Sequence, residues 1–168
     1  GPRWIRLLYC YPDAVTDELL DVMAREKKIV KYMDLPLQHC SQRVLRAMRR
    51  AGSREELTAL IRKMRERVPG LVLRTTMIAG FPGETQEDFD ELCEFAKEIG
   101  FERLGCFAYS QEEGTPAGEM DGQLPKEEKE RRRDVLMEQQ SITMQRWGES
   151  RIGQTVEVLV EGFDRYAE

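Results

Sequence analysis

The chain of 168 residues lacks the spacings on which most metal and disulfide motifs depend. It has a single histidine, His39, and its four cysteines are Cys10, Cys40, Cys93 and Cys106. They are too far apart for a CxxC zinc knuckle or a compact disulfide framework. We therefore expect four reduced thiols in or near a core, and no zinc site.

Other absences exclude further classes of protein. The sequence has neither GxGxxG nor GxxxxGK[ST], so a dinucleotide Rossmann site and a P-loop lack support. The net charge of −5 gives no bulk attraction to nucleic acid. No apolar run reaches the ~20 residues of a membrane helix, and no signal peptide is recognisable, so we expect a cytoplasmic protein. The start at Gly1-Pro2, without methionine, indicates a cloning remnant or an excised fragment.

Strand-like and helical patterns alternate along the first two thirds of the chain. Strand-like runs lie at residues 4–9, 31–37, 71–78 and 103–109, and amphipathic helical stripes separate them. This alternation predicts an α/β fold with a parallel sheet and crossover helices.

The segment IAGFPGET, residues 78–85, leads a buried strand directly into a helix. Pro82 and Gly83 suit the central positions of a type II turn. Thr85 is a predicted helix N-cap, and Asp88 is placed to complete a capping box. Ligands of α/β folds bind where strand ends and helix N-termini converge, so this segment is a candidate site.

The pattern changes after the fourth strand. Residues 111–124 predict a functional loop or lid. The charge run at residues 126–133 contains the i,i+4 pairs Glu127/Arg131 and Glu128/Arg132, which favour a solvated helix that continues to Trp147. Residues 154–161 alternate like a half-buried strand, which is not stable without a partner strand.

Two polar residues follow the second strand. Gln38 can donate and accept hydrogen bonds, which suits a sugar hydroxyl or an adenine edge, but the residue by itself favours a satisfied loop amide. His39 and Cys40 superficially suggest a nucleophile pair; adjacent residues of an extended segment point in opposite directions, which argues against it.

Four ordered segments together resemble the radical S-adenosylmethionine (SAM) methylthiotransferases. They are KYMDLPLQHCSQRVLRAMRR (31–50), LRTTMIAGFPGETQEDF (73–89), RLGCFAYSQEEGTPA (103–117) and QTVEVLVEGFD (154–164). Within the family, the chain is most similar to the branch that methylthiolates an aspartate of a small-subunit ribosomal protein. The branch that modifies tRNA adenosine typically has HxPxQSGS and YSPRPGTPA at residues 34–41 and 109–117.

The resemblance implies a partial (β/α) barrel of radical SAM type, of which this chain supplies about four parallel strands. Residues 1–122 would be the C-terminal part of the barrel, 123–150 a connecting helix, and 151–168 the start of a TRAM domain with its initial β-strand. We expect chains to associate through the unpaired edge of such a barrel.

The resemblance also implies the cofactors. The full-length enzyme would use SAM and two 4Fe-4S clusters, whose ligands lie in a CxxxCxxC loop and an N-terminal domain that this chain does not contain. None of the four cysteines matches a cluster ligand, so we assign no metal ligand and no catalytic residue here, and we expect the isolated chain to be inactive.

The cofactor-binding residues implied by the resemblance lie at the ends of the last three strands. Arg74 could hold a carboxylate, or it could pair with a neighbouring acidic side chain. Glu84 is one position out of register with the superfamily pattern GxIxGxxE, which leaves its role open. The implied set is Gln38, Ser41, Arg74, Thr76, Ile78, Gly80, Phe107, Ala108 and Tyr109.

Several functions remain open at this point. The resemblance favours a transferase whose partner is a small-subunit ribosomal protein, bound through the complete TRAM domain. The alternatives are a tRNA adenosine methylthiotransferase, a non-catalytic module that docks the substrate protein, and an unrelated metal-free (β/α) barrel enzyme.

Overall fold

The computed structural model describes residues 1–160 and Gly162, and four strands form its sheet. All neighbouring strands are parallel, and their order in the sheet follows their order in the chain. This confirms the predicted parallel α/β sheet. The strands are β1 (Ile5–Leu7), β2 (Ile29–Asp34), β3 (Val72–Ala79) and β4 (Arg103–Ala108).

Within the described residues, five α-helices connect or follow the strands, and side-chain caps begin three of them. Thr16 and Ser53 each accept a backbone N–H of the first turn. Thr85 and Asp88 form the predicted capping box. Gly100, with a φ of 62°, ends the fourth helix as expected. The helices are α1 (Asp17–Arg25), α2 (Gln42–Ala47), α3 (Arg54–Arg67), α4 (Gln86–Ile99) and α5 (Lys126–Glu149).

The two faces of the sheet have different environments. Along β3, Leu73, Thr75 and Met77 are buried in the core that the helices cover, and the intervening side chains are less buried. The opposite face is partly open to solvent, and Phe107 on β4 is 65% exposed there. Ile78 lies beside Phe107 in the strand register.

The prediction that α5 is a solvated helix was wrong for one of its faces. Lys129, Arg132 and Leu136 are buried, because α5 packs against β4, β3 and α4. The pair Glu128/Arg132 forms at 2.7 Å, whereas Arg131 also pairs with Glu128 and not with Glu127. The charge run therefore belongs partly to the protein interior.

The predicted last strand is not formed where the structure describes it. Residues 154–160 are exposed and have no regular secondary structure, since no neighbouring strand supplies hydrogen bonds. Residues 161 and 163–168, which complete the expected start of the TRAM domain, lie outside the described residues. In the described part of the chain, no helix combines the length and the apolar character that a membrane crossing requires.

Candidate functional site

The turn between β3 and α4 has the predicted conformation. Glu84 N–H donates to the Phe81 carbonyl at 2.9 Å, and Gly83 between them has a φ of 77°. This is the hydrogen bond and the left-handed third residue of a type II turn. Gly80, which ends the strand, also has a positive φ, of 79°.

Glu84 holds this turn from the inside. Its Oε2 accepts the Gly80 N–H at 2.9 Å, and its Oε1 accepts a hydrogen bond from Arg132 Nη1 at 2.7 Å. Both side chains are buried, at 0% and 6% exposure. Burial alone would raise the pKa of Glu84, but the nearby His39 ring and the hydrogen bond from Arg132 outweigh it and lower the pKa. Glu84 therefore joins the turn to α5.

His39 joins the loop after β2 to the same turn. Its Nδ1 accepts the Ser41 N–H at 3.0 Å, and its Nε2 lies 3.5 Å from Glu84 Oε2. The ring is fully buried. Ser41 Oγ donates to Asp88 Oδ1 at 2.7 Å, so the hydroxyl of this predicted cofactor residue is engaged within the protein. These contacts give His39 a structural role.

Two adjoining cavities lie at the carboxyl ends of β2 and β3. The larger, which we call the strand-end cavity, has a volume of about 340 Å³ and is lined by Gln38, Ile78, Phe81, Arg49, Arg50 and residues of the 111–124 loop. A second cavity of about 170 Å³ shares Gln38 and Arg50 with it and adds Tyr9 and Cys10. Apolar walls with a few polar groups are typical of small-molecule sites.

Backbone strain is concentrated at these cavities. Among residues 1–160 and 162, the non-glycine residues with positive φ are Tyr9 (56°), Gln38 (71°) and Arg49 (57°). Each of the three lines one or both of the two cavities. Left-handed conformations of non-glycine residues cost of order 1–3 kcal/mol and tend to occur at functional sites. The strain supports this edge of the sheet as the site.

Five of the nine predicted site residues line a cavity, and they fall into two groups. Gln38 and Ile78 line the strand-end cavity, whereas Phe107, Ala108 and Tyr109 line a third cavity of about 440 Å³ beside α5. The main-chain N–H of Tyr109 already donates to the Ala79 carbonyl at 2.9 Å.

Arg74, Thr76 and Gly80 line none of these three cavities. Arg74 Nη1 pairs with the buried Asp34 at 3.1 Å. This ion pair with a neighbouring acidic side chain is the second of the two roles expected for Arg74. Thr76 lies opposite Gly105 of β4. The Cα of Gly80 faces Lys129, because a Cβ there would lie 2.4 Å from Lys129 Cγ.

Sequence reasoning missed Arg50, which lines both the strand-end cavity and the smaller cavity beside it. Its Nη1 donates to the Pro36 carbonyl at 3.3 Å, and its guanidinium lies 5.3 Å from the Tyr11 ring centroid. No carboxylate pairs with Arg50 within the described residues. The one signal in the sequence was the arginine pair Arg49-Arg50 just after α2. That signal is ambiguous, because a cation at the end of a helix often only complements the helix dipole.

The lining of the strand-end cavity is chemically compatible with SAM. Gln38 and Arg50 offer an amide and a guanidinium to a carboxylate or ribose, and Ile78 and Phe81 offer apolar surface to a ring. Over residues 1–160 and 162, no group of three or more His, Cys, Asp or Glu side chains is placed to hold a metal ion. The cysteines are free thiols, and burial raises the pKa of Cys93 to about 11 and of Cys106 to about 12.

Comparison with known proteins identifies relatives of this chain. The family model described as the radical SAM superfamily matches residues 2–96. Ribosomal protein uS12 methylthiotransferase RimO of Pelotomaculum thermopropionicum is 54% identical over 163 residues, covering 96% of this chain and 36% of the relative. RimO of Desulfitobacterium hafniense is 53% identical over 165 residues with the same coverage. The chain thus spans about a third of the length of these curated relatives.

A solved structure supports the fold. Coproporphyrinogen III oxidase of Escherichia coli, described as a radical SAM enzyme, superposes with a TM-score of 0.64 over 84% of this chain and 32% of its own. The two sequences are 23% identical, so this likeness concerns the fold alone.

Proposed function

This chain belongs to the radical SAM superfamily, and we propose that it is part of the catalytic barrel of a methylthiotransferase that modifies an aspartate of ribosomal protein uS12. The observation that carries the proposal is the 54% identity to a uS12 methylthiotransferase along nearly the whole chain. Residues 1–122 would contribute barrel, 123–150 a connecting helix, and 151–168 the start of a TRAM domain.

The role proposed for this chain is to hold SAM at the strand-end cavity. SAM bound here would supply the radical when an electron from a cluster of the full-length enzyme cleaves it, and a second SAM molecule would supply the methyl group. Gln38 would bind its ribose or methionine part, and Arg50 would bind its carboxylate, because a guanidinium can meet a carboxylate with two parallel hydrogen bonds. Ile78 and Phe81 would pack against the adenine ring.

A binding measurement on the chain tests the SAM site. Isothermal titration with S-adenosylhomocysteine should show saturable binding that Arg50→Met weakens about tenfold, the loss expected for a charged hydrogen bond. Arg46→Met is a matched control, because Arg46 is exposed on α2 and lines neither cavity. Equal effects of the two variants, or no binding by the unaltered chain, would contradict this assignment of the cavity.

The substrate is tested in a full-length enzyme. In the Pelotomaculum relative, the segment that aligns with the present chain can be replaced by the corresponding segment of this chain. The chimera should add a methylthio group to uS12, detected by mass spectrometry of the protein. Modification of tRNA in place of uS12 would instead support the alternative of a tRNA adenosine methylthiotransferase. An inactive but folded chimera, with the parent active, would count against both.

A further inference from the structure

The open face of the sheet carries three cations and one carboxylate. Arg6 of β1, Asp34 of β2, Arg74 of β3 and Arg103 of β4 each adjoin a core residue in their strand. Because successive strand residues point to opposite faces, these four side chains lie on the face that the helices do not cover. Three cations and one carboxylate give this face a formal charge of +2, although the whole chain carries −5. In a (β/α) barrel this face is the interior one.

Asp34 holds Arg74 in place on this face. Asp34 is fully buried and lies opposite Arg74 in the strand register. Its Oδ2 accepts a hydrogen bond from Arg74 Nη1 at 3.1 Å, whereas its Oδ1 has no hydrogen-bond partner within residues 1–160 and 162. Separating such a pair is costly, because it leaves a buried carboxylate without compensation. The ion pair therefore fixes the position of the guanidinium.

The ion pair occupies only one nitrogen of Arg74. The side chain is 44% exposed, and its Nε and Nη2 make no hydrogen bond in the described part of the chain. These two nitrogens form one edge of the planar fork, which can meet a carboxylate with two parallel hydrogen bonds. Arg103, the neighbour of Arg74 on β4, instead lies over the Trp147 ring, 5.1 Å from its centroid. Arg74 is thus a positioned cation that keeps a carboxylate-binding edge available.

Arg74 stands on the same face as one wall of the strand-end cavity. Arg74, Thr76 and Ile78 follow each other at every second position of β3, and Ile78 lines that cavity. Four strand residues span ~13 Å, and the long arginine side chain covers part of this distance. A substrate side chain that approaches the cavity over the open face therefore comes within reach of the guanidinium.

We propose that Arg74 binds the side-chain carboxylate of the aspartate that is modified in uS12, with Asp34 as the residue that positions the guanidinium. The inference rests on the proposed function and adds a residue that selects the substrate. Holding the carboxylate fixes the aspartate side chain relative to a cofactor in the strand-end cavity. An adenosine has no carboxylate, so the same contact would disfavour tRNA as the substrate.

The test uses the full-length chimera with uS12 and with a uS12 variant in which the target aspartate is replaced by asparagine. In isothermal titration, the unaltered chimera should bind uS12 about tenfold more tightly than the asparagine variant, as expected for a charged hydrogen bond. Arg74→Met should bind the two forms alike. Arg103→Met is the matched control, since it removes the same charge from the neighbouring strand position and should keep the preference.

Two further variants separate recognition from folding. Arg74→Lys keeps a cation beside Asp34 but lacks the planar fork, so it should fold and retain only part of the preference. Asp34→Asn should also reduce the preference, while the affinity of the chimera for S-adenosylhomocysteine stays unchanged, which a general loss of structure would not allow.

Three results would overturn the proposal. They are equal binding of both forms of uS12 by the unaltered chimera, equal behaviour of Arg74→Met and Arg103→Met, and a tenfold loss of S-adenosylhomocysteine binding in Arg74→Lys, which would assign the carboxylate to the cofactor. Each of them leaves the proposed function standing if the chimera modifies uS12. A folded chimera that does not modify uS12 refutes the proposed function, and this inference with it.

Discussion

Replacement of Glu84 by Gln is expected to be strongly destabilising, although the two side chains have nearly the same shape. The substitution removes the negative charge that faces Arg132, whose side chain is 6% exposed. Breaking a buried ion pair from one side typically costs about 3–5 kcal/mol, because the remaining charge stays buried. Arg132 keeps a second partner, Glu128 at 2.7 Å, so we expect the lower end of that range, about 3 kcal/mol.

The assay is urea unfolding at neutral pH, followed by far-ultraviolet circular dichroism. The matched control is Glu87→Gln, an exposed carboxylate of the same helix start, which should change the free energy of unfolding by no more than about 0.5 kcal/mol. Combining Glu84→Gln with Arg132→Met should cost less than the sum of the two single changes. If Glu84→Gln lost less than about 1 kcal/mol, the reasoning from the buried pair would be refuted.

The pH dependence gives an independent check on the same residue. The folded protein lowers the pKa of Glu84 below its ordinary value of 4.5, so the unfolded state binds the proton more readily. The stabilisation is therefore complete above pH 4.5 and is lost as the pH falls through the lower folded pKa. Glu84→Gln lacks this contribution, and its deficit relative to the unaltered chain should shrink on acidification.

Three other changes have defined outcomes. Gly80→Ala should lower the free energy of unfolding by more than about 1 kcal/mol in urea unfolding, because a φ of 79° and the Lys129 stem both oppose a Cβ; an unchanged stability would contradict the packing seen there. Asp88→Asn should lower the free energy of unfolding by about 1–2 kcal/mol at neutral pH and by less at acid pH, since the folded protein lowers the pKa of Asp88. Matched unfolding curves at the two pH values check this. Iodoacetamide should alkylate Cys10 before Cys40, because Cys10 is partly exposed and Cys40 is buried with a raised pKa. Mass spectrometry of the native chain measures the order of alkylation, and the reverse order would mean that Cys40 is accessible.

Local signals explain why so much of the fold was predictable. Caps such as Thr85/Asp88 and the turn at Pro82-Gly83 involve residues no more than a few positions apart, so sequence alone specifies them. The order of the parallel strands follows from short crossover helices. By contrast, residues 154–160 show the right alternation but no strand, because pairing depends on a neighbour that alternation cannot supply.

The candidate site was harder to predict, because its decisive contacts join distant parts of the chain. Gln38 and Ile78 were expected at this site because Gln38 follows β2 and Ile78 lies near the end of β3, where parallel sheets bind ligands, and both line the strand-end cavity. Arg50 was missed because its relation to Gln38 arises only when the chain after α2 folds back to the sheet. Arg74 matched one of its two alternatives, and only the position of Asp34 decided between them.

The charge run of α5 shows why composition misled the prediction at this one place. Its spacing predicts i,i+4 pairs on a solvated surface, and Glu128/Arg132 is indeed such a pair. Yet Arg132 also reaches Glu84, 48 positions away, and Lys129 crosses Gly80, so the buried face of α5 is charged where an apolar stripe would be expected. Buried charges are costly unless partners compensate them, and Glu84 and Tyr109 are those partners. Changes on this face of α5 should therefore disturb the strand-end turn, whereas changes to the exposed Glu127 should not.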